Sequence, residues 1–306
     1  MSSGGGGAKA IVAALGANLG IALTKFLAFA LSGSSSMLAE AIHSVADSGN
    51  QILLLIGGRR SQREATARHP FGYGRERYIY AFIVSVVLFT VGGLFAIYEG
   101  VHKLQHPEAI HSWQWLPIVV LVIATGLEGF SFRTAVRETN RIRGGASWVQ
   151  FIRHARAPEL PIVLLEDSAA LIGLVLALLG VALTLATGSG IWDGLGTLAI
   201  GVLLVIVAVI LATETKSLLI GESATLDQVE AIEAALVGVA EVDRVIHMRT
   251  LHLGPEELLV AAKIAVARET PAGAVAAAID AAEERIRSAV PIARVIYLEP
   301  DIYREV

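Results

Sequence analysis

Two apolar stretches carry side chains that apolar stretches avoid. SSSMLAEAIHSVADSGNQILLLIG (34–57) contains His43 and Asp47, and PELPIVLLEDSAALIGLVLALLG (158–180) contains Glu166 and Asp167. Spacing of i, i+4 puts the imidazole and the carboxylate of the first pair on one helix face. An ionisable group at bilayer depth costs about 2.5–3.5 kcal/mol on insertion scales, so such groups face a partner, a cavity or an ion. The only basic residue well inside the first, second and fifth apolar segments is Lys25, and one cation cannot neutralise the three carboxylates at that depth, Asp47, Glu166 and Asp167. Asp47 stands about thirteen residues past Ser34, and Glu166 eight residues past Pro158, roughly 12 Å at helical rise. If the two segments cross in opposite directions, they deliver these groups at overlapping depth. Imidazole nitrogen and carboxylate oxygen together suit a divalent cation: zinc first, with cobalt, iron or manganese as alternatives. Ligands that take up protons when empty and lose them to a metal would couple the ion to protons in exchange.

The segments that must position these groups follow from composition. The chain has 306 residues, 54% hydrophobic and 17% charged, with a mean hydropathy of +0.63, as expected of a multi-pass membrane protein rather than a soluble domain. A net charge of −4 argues against a nucleic-acid partner, and the absence of cysteine excludes disulfides and thiolate metal sites. Six segments are apolar enough to span: 8–31, 35–58, 78–101, 113–136, 159–187 and 191–214. Arg59, Arg60, Arg63, Arg68, Arg75 and Arg77 crowd the loop after the second. Arg133, Arg137, Arg141, Arg143, Arg153 and Arg156 gather around the loop after the fourth. The loop after the third, by contrast, holds only Lys103. Positive charge favours the cytoplasmic side, which places both termini inside, in a bacterial inner or plasma membrane. The expected division is a flexible tail over 1–7, a six-helix transport domain over 8–216 and a cytosolic domain over 217–306.

From Glu222 onward the pattern changes. Leu226–Val239 has helical apolar spacing, and VDRVIHMRTLHLG and EELLVAAKIAVA read as two strands around a Gly254-Pro255 turn. A second helix starts with Thr270 as N-cap and Pro271 at its first position, and ARVIYLEP supplies a third strand. The α-β-β-α-β order predicts a small α+β domain with helices on one face of a sheet.

GSSSMLAEAIHSVADSGNQ (33–51), RHPFGYGRERYIYAF (68–82), YEGVHKLQHPE (98–108) and WDGLGTLAIG (192–201) resemble the cation diffusion facilitator family of metal-ion/proton antiporters, over nearly the whole chain. The resemblance implies a homodimer with six transmembrane helices and a ferredoxin-like C-terminal domain. It also implies transport of a divalent metal out of the cytoplasm in exchange for protons, by alternating exposure of a midplane site, with no prosthetic group. In that family two ligands four apart in the second span meet two four apart in the fifth. His43 and Asp47 match the first pair and Asp167 the last position, whereas Val163 stands where a donor is usual. Glu166 is then the expected fourth ligand, with water as the alternative. The family's accessory sites look depleted: His69 matches one position, but Tyr73 and Ala65 stand where further donors belong. His247, His252, Glu299 and Asp301 read as surface residues rather than a cluster.

Other functions fit less well. A passive channel needs several weak sites along a pore, and these residues form one compact group. A metalloprotease would show HExxH, which is absent, so the chain is not expected to be an enzyme. A metal sensor would need a better supply of ligands in the C-terminal domain.

Overall fold

A computed structural model describes residues 4–110 and 112–304, with side chains from residue 18 onward except 154. The helices in order are α1 (Gly4–Ser32), α2 (Ser35–Ser61), α3 (Glu76–Val87) and α4 (Phe95–Gln105), followed by α5 (Trp115–Ile142), a short α6 (Trp148–His154), α7 (Glu159–Thr187) and α8 (Ile191–Ile220). A π-helical segment, Leu88–Leu94, joins α3 to α4, so residues 76–105 run as one helix of 30 residues. Residues 1–3 of the expected tail lie outside the described residues, and α1 is already helical at Gly4, continuous with the apolar run that begins at Ala8.

Among the described residues, four helices are long and apolar enough to cross a membrane: 76–105, 115–142, 159–187 and 191–220. Helix α2 falls short because it carries a row of polar residues. Ser35, Ser36, Glu40, His43, Ser44, Ser48 and Asn50 are all buried, so the polar stripe turns into the protein. A helix of this kind is stabilised by specific partners rather than by lipid.

The chain forms two compact units. One takes in the chain up to Gly57 and Ile79–Thr215; the other joins Gly58–Tyr78 to everything from Lys216 onward. In the helical unit, α5 packs along α7, and α1 lies against α5. Helices α4 and α8 meet closely at glycine: a Cβ on Gly201 would stand 2.6 Å from the Ile97 nitrogen, and one on Gly100 2.7 Å from the Leu198 nitrogen. Small residues at such crossings let backbones approach to dispersion distance.

The N-terminus of α2 is capped from a distance. Ser35 and Ser36 donate their backbone N–H groups to Asp193 Oδ2 and Oδ1 at 2.7 and 3.2 Å. The hydroxyls of Ser34 and Ser35 donate to the same carboxylate at 2.9 and 3.1 Å. First-turn N–H groups have no partner inside the helix, and an anion there also meets the positive end of the helix dipole. Asp193 is fully buried, and it locks the start of α2 to the start of α8.

The second unit has the predicted α-β-β-α-β order: α9 (Leu226–Val237), β1 (Arg244–Gly254), β2 (Glu257–Ala265), α10 (Ala272–Ala289) and β3 (Ala293–Asp301). Strands β1 and β2 are antiparallel, β2 and β3 parallel, in the order β1-β2-β3. Thr225 and Gln228 form a capping box at the start of α9. Helix α10 starts one residue later than expected. Pro271, with ψ of 145°, is the extended cap rather than the first helical residue. Leu258, Val260 and Ile264 alternate along β2 into a core shared with Ile232 and Leu236 of α9 and Ile286 of α10. Residues 58–78, which the sequence leaves with the membrane part, pack on the β1–β2 turn instead. A Cβ on Gly74 would stand 2.8 Å from the Leu253 carbonyl oxygen, and Arg77 Nη1 reaches Glu256 Oε1 at 3.4 Å.

Candidate metal site

A cavity of about 70 Å³ opens in the helical unit between α1, α2, α5 and α7. That is several times the room one water molecule needs. Its polar wall consists of Asn18, Ser44, Asp47, Gln51, Glu128, Ser131, Glu166 and Asp167, with Ile21, Leu127 and Val163 between them. Asp47, Glu166 and Asp167 are therefore brought to one place, from two helices, as their spacing suggested. Helix geometry separates Glu166 from Asp167 by about 100°, yet both reach the cavity.

The four expected ligands differ in what holds them. Glu166 is nearly buried, and its Oε1 accepts a hydrogen bond from Asn50 Nδ2 at 2.7 Å. Asp167 Oδ2 accepts one from the Ser131 hydroxyl of α5 at 2.9 Å. Asp47 has one oxygen without a hydrogen-bond partner, and its Oδ2 lies 3.5 Å from His43 Nε2. His43 is only 2% exposed and does not line the cavity; it stands behind Asp47, with neither ring nitrogen hydrogen-bonded. Among the described residues no three His, Asp or Glu side chains are gathered tightly enough to hold an ion in this conformation. Asn50 and Ser131 each engage one oxygen of a carboxylate, Glu166 Oε1 and Asp167 Oδ2, and so orient the two acids on the wall.

Lys25 is used elsewhere. Its ammonium, 1% exposed, donates to Glu40 Oε2 at 2.9 Å and to the Ser44 hydroxyl at 2.8 Å. The one cation well inside the first, second and fifth apolar segments thus forms a buried pair with Glu40, an acid that does not line the cavity. Asn18 and Gln51 bond to each other across α1 and α2 at 3.4 Å.

Sequence reasoning missed Glu128. It stands inside the fourth apolar segment, carrying the same signal as Asp47, but it has no second donor four residues away to draw the eye. Ser131, one turn later on the same face, was missed with it.

Among the described residues no accessory cluster of ligands forms in the other unit. His69 is exposed and packs at a tilt of 54° against Tyr73, with ring centres 4.8 Å apart. His252 is buried, and its backbone N–H donates to the Glu222 carbonyl at 2.9 Å, whereas His247 pairs in register with Lys263 on the exposed side of the sheet. Lys263 Nζ sits between Asp301 Oδ2 at 3.0 Å and Glu299 Oε1 at 3.1 Å. Those bonds, Asp301 first, hold the lysine above its ordinary pKa, and the bond from Lys263 holds Asp301 below its own.

Comparison with known proteins identifies the family. Residues 11–220 match the profile of the Cation efflux transmembrane domain. The Homo sapiens protein named proton-coupled zinc antiporter SLC30A9, mitochondrial, is 34% identical over 232 residues, covering 75% of this chain and 41% of its own length. Metal tolerance protein C4 of Arabidopsis thaliana is 30% identical over 258 residues, covering 84% of this chain and 56% of its own length. Magnetosome protein MamM of Magnetospirillum gryphiswaldense is 29% identical over 117 residues, 36% of this chain and 35% of its own. The chain spans about two fifths of the length of the SLC30A9 relatives it matches, 41% of the human one and 43% of that from Xenopus laevis. With a profile match over more than half of its residues, the chain belongs to the cation diffusion facilitator, or cation efflux, family.

Proposed function

We propose that this protein is a secondary transporter of divalent transition metal, with zinc as the principal cargo, moving the ion out of the cytoplasm in exchange for protons. The observation that carries this reading is the cavity itself: four carboxylates from three helices, Asp47, Glu128, Glu166 and Asp167, meet at a polar pocket inside an apolar bundle. Relatives named a proton-coupled zinc antiporter and a metal tolerance protein support the cargo and the coupling. Asp47 and Asp167 bind the ion, His43 turns in from behind Asp47, and Glu166 is the neighbouring acid on the wall. Helices α1, α2, α3 with α4, α5, α7 and α8 make six spans, with both termini on the arginine-rich cytoplasmic side of an inner or plasma membrane. The α-β-β-α-β unit is a ferredoxin-like domain that supports a homodimer.

Alternating access needs a site that opens to one side at a time, and a pocket bounded by separate helices suits that motion. The test is zinc uptake into proteoliposomes under an imposed pH gradient, comparing wild type with Asp47→Ala and Asp167→Ala. Saturable, gradient-dependent flux that both substitutions abolish is the expected result. Flux indifferent to the gradient removes the proton coupling, and undiminished flux in both variants removes the site.

A further inference from the structure

We propose that Glu128 of α5 is a direct ligand of the transported cation, so that the ion is gripped by three helices, with a carboxylate from α5 taking the coordination place that Val163 leaves without a donor. This rests on the reading of the cavity as the transport site. Three observations carry it. Glu128 lines the same cavity as Asp47 and Asp167, and Val163 lines it too, an apolar patch in a wall otherwise rich in donors. Ser131, one turn along α5 from Glu128, donates to Asp167 Oδ2 at 2.9 Å, which fastens the face bearing Glu128 to the acid that would share the ion. His43, 2% exposed and with no hydrogen bond at either ring nitrogen, points Nε2 at Asp47 from 3.5 Å. A buried imidazole with no hydrogen bond, beside a pocket of carboxylates, is a donor waiting for a cation, since an unsatisfied buried polar group is otherwise a cost.

The chemistry of the enlarged donor set differs from that of a two-helix site. One imidazole with carboxylates from α2, α5 and α7 is rich in oxygen, and oxygen donors in larger number suit manganese more than tetrahedral zinc. Glu128 therefore acts on metal choice as well as affinity. It also ties the ion to α5, which packs along α7, so movement of α2 against that pair changes the number of ligands the ion sees.

The test is binding of zinc and of manganese to the purified full chain in detergent, by competition with a fluorescent chelator. Variants are Glu128→Gln, Glu128→Asp, Glu128→His and Asp47→Asn. Loss of an outer partner of a metal site already costs about 10- to 100-fold in affinity, so Glu128→Gln should lose at least tenfold for both ions, with the larger loss for manganese. Glu128→Asp should retain part of the binding, and Glu128→His should recover zinc but not manganese. Should the Gln variant fail to purify, the Asp and His variants decide alone: equal zinc and manganese affinities in both, at wild-type level, overturn the proposal. Wild-type binding in Glu128→Gln alongside a large loss in Asp47→Asn overturns the role of Glu128 and leaves the transport site standing. Wild-type binding in Asp47→Asn as well overturns the site itself.

Discussion

The pair Lys25–Glu40 offers the sharpest check on how the helical unit is held. Both residues are buried, the ammonium 2.9 Å from the carboxylate, and a Cβ on Gly173 of α7 would stand 2.9 Å from Glu40 Oε1. Lys25→Met alone deprives Glu40 of its counter-ion, and breaking such a buried pair costs about 3–5 kcal/mol. Glu40→Met alone strands the ammonium at a similar cost. The double variant removes both charges and takes a donor from the Ser44 hydroxyl, a loss of about 1 kcal/mol, and a long 3.5 Å bond from the Glu40 carbonyl. Unfolding in mixed micelles titrated with dodecyl sulfate, followed by tryptophan fluorescence, should therefore show two damaged single variants and a double variant close to wild type. The coupling across the cycle should exceed about 2 kcal/mol. Zinc binding should survive in the double variant, since neither side chain lines the cavity. A Lys25→Met protein within about 1 kcal/mol of wild type, or a double variant as unstable as the worse single, would refute the argument that this pair is structural.

Three further outcomes follow from the geometry. Asp193→Ala should strand the buried N–H groups of Ser35 and Ser36 at about 1–3 kcal/mol each, measured in the same unfolding assay, whereas Asp193→Asn should keep part of the cap. Gly74→Ala should push residues 58–78 off the β1–β2 turn and speed tryptic cleavage at Arg63 and Arg68, while Gly58→Ala, with nothing within 4 Å of its Cβ, should not. Asp301 has a folded pKa below its unfolded one, so its contribution to stability is present above the unfolded value, about pH 4, and fades as pH falls through the folded value. In an NMR titration Lys263→Met should move the Asp301 midpoint upward toward the ordinary aspartate range, and screening at this exposed site keeps the stability effect small.

Much of the site was legible because acids in apolar segments are expensive enough to be rare. Asp47, Glu166 and Asp167 stood out on that ground alone, and they do meet at one cavity. Glu128 carried the same mark and was passed over for want of a neighbour at i+4. The strand and helix order of the second unit followed from periodicity and turn residues, with α10 starting one residue late, after Pro271, and α9 ending at Val237 rather than Val239. What was hidden were partnerships between distant positions. Nothing local says that three serines at 34–36 receive an acid at 193, or that Lys25 turns to Glu40 rather than to the cavity. His43 matched the spacing of a ligand, but spacing cannot tell whether a side chain faces a pocket or stands behind the residue that does.

The assignment of residues 58–78 bears on how such a protein can be dissected. The polypeptide passes from one compact unit to the other three times, near residues 57, 78 and 215. Cutting the chain at 216 would not excise a self-contained module: it would strip the Gly74 segment of the hairpin it rests against and leave its arginines on a loop with no floor. Loss of transport in a truncated protein would then report an orphaned loop as readily as a missing regulator, and a soluble fragment of 217–306 would expose the turn that the loop normally covers.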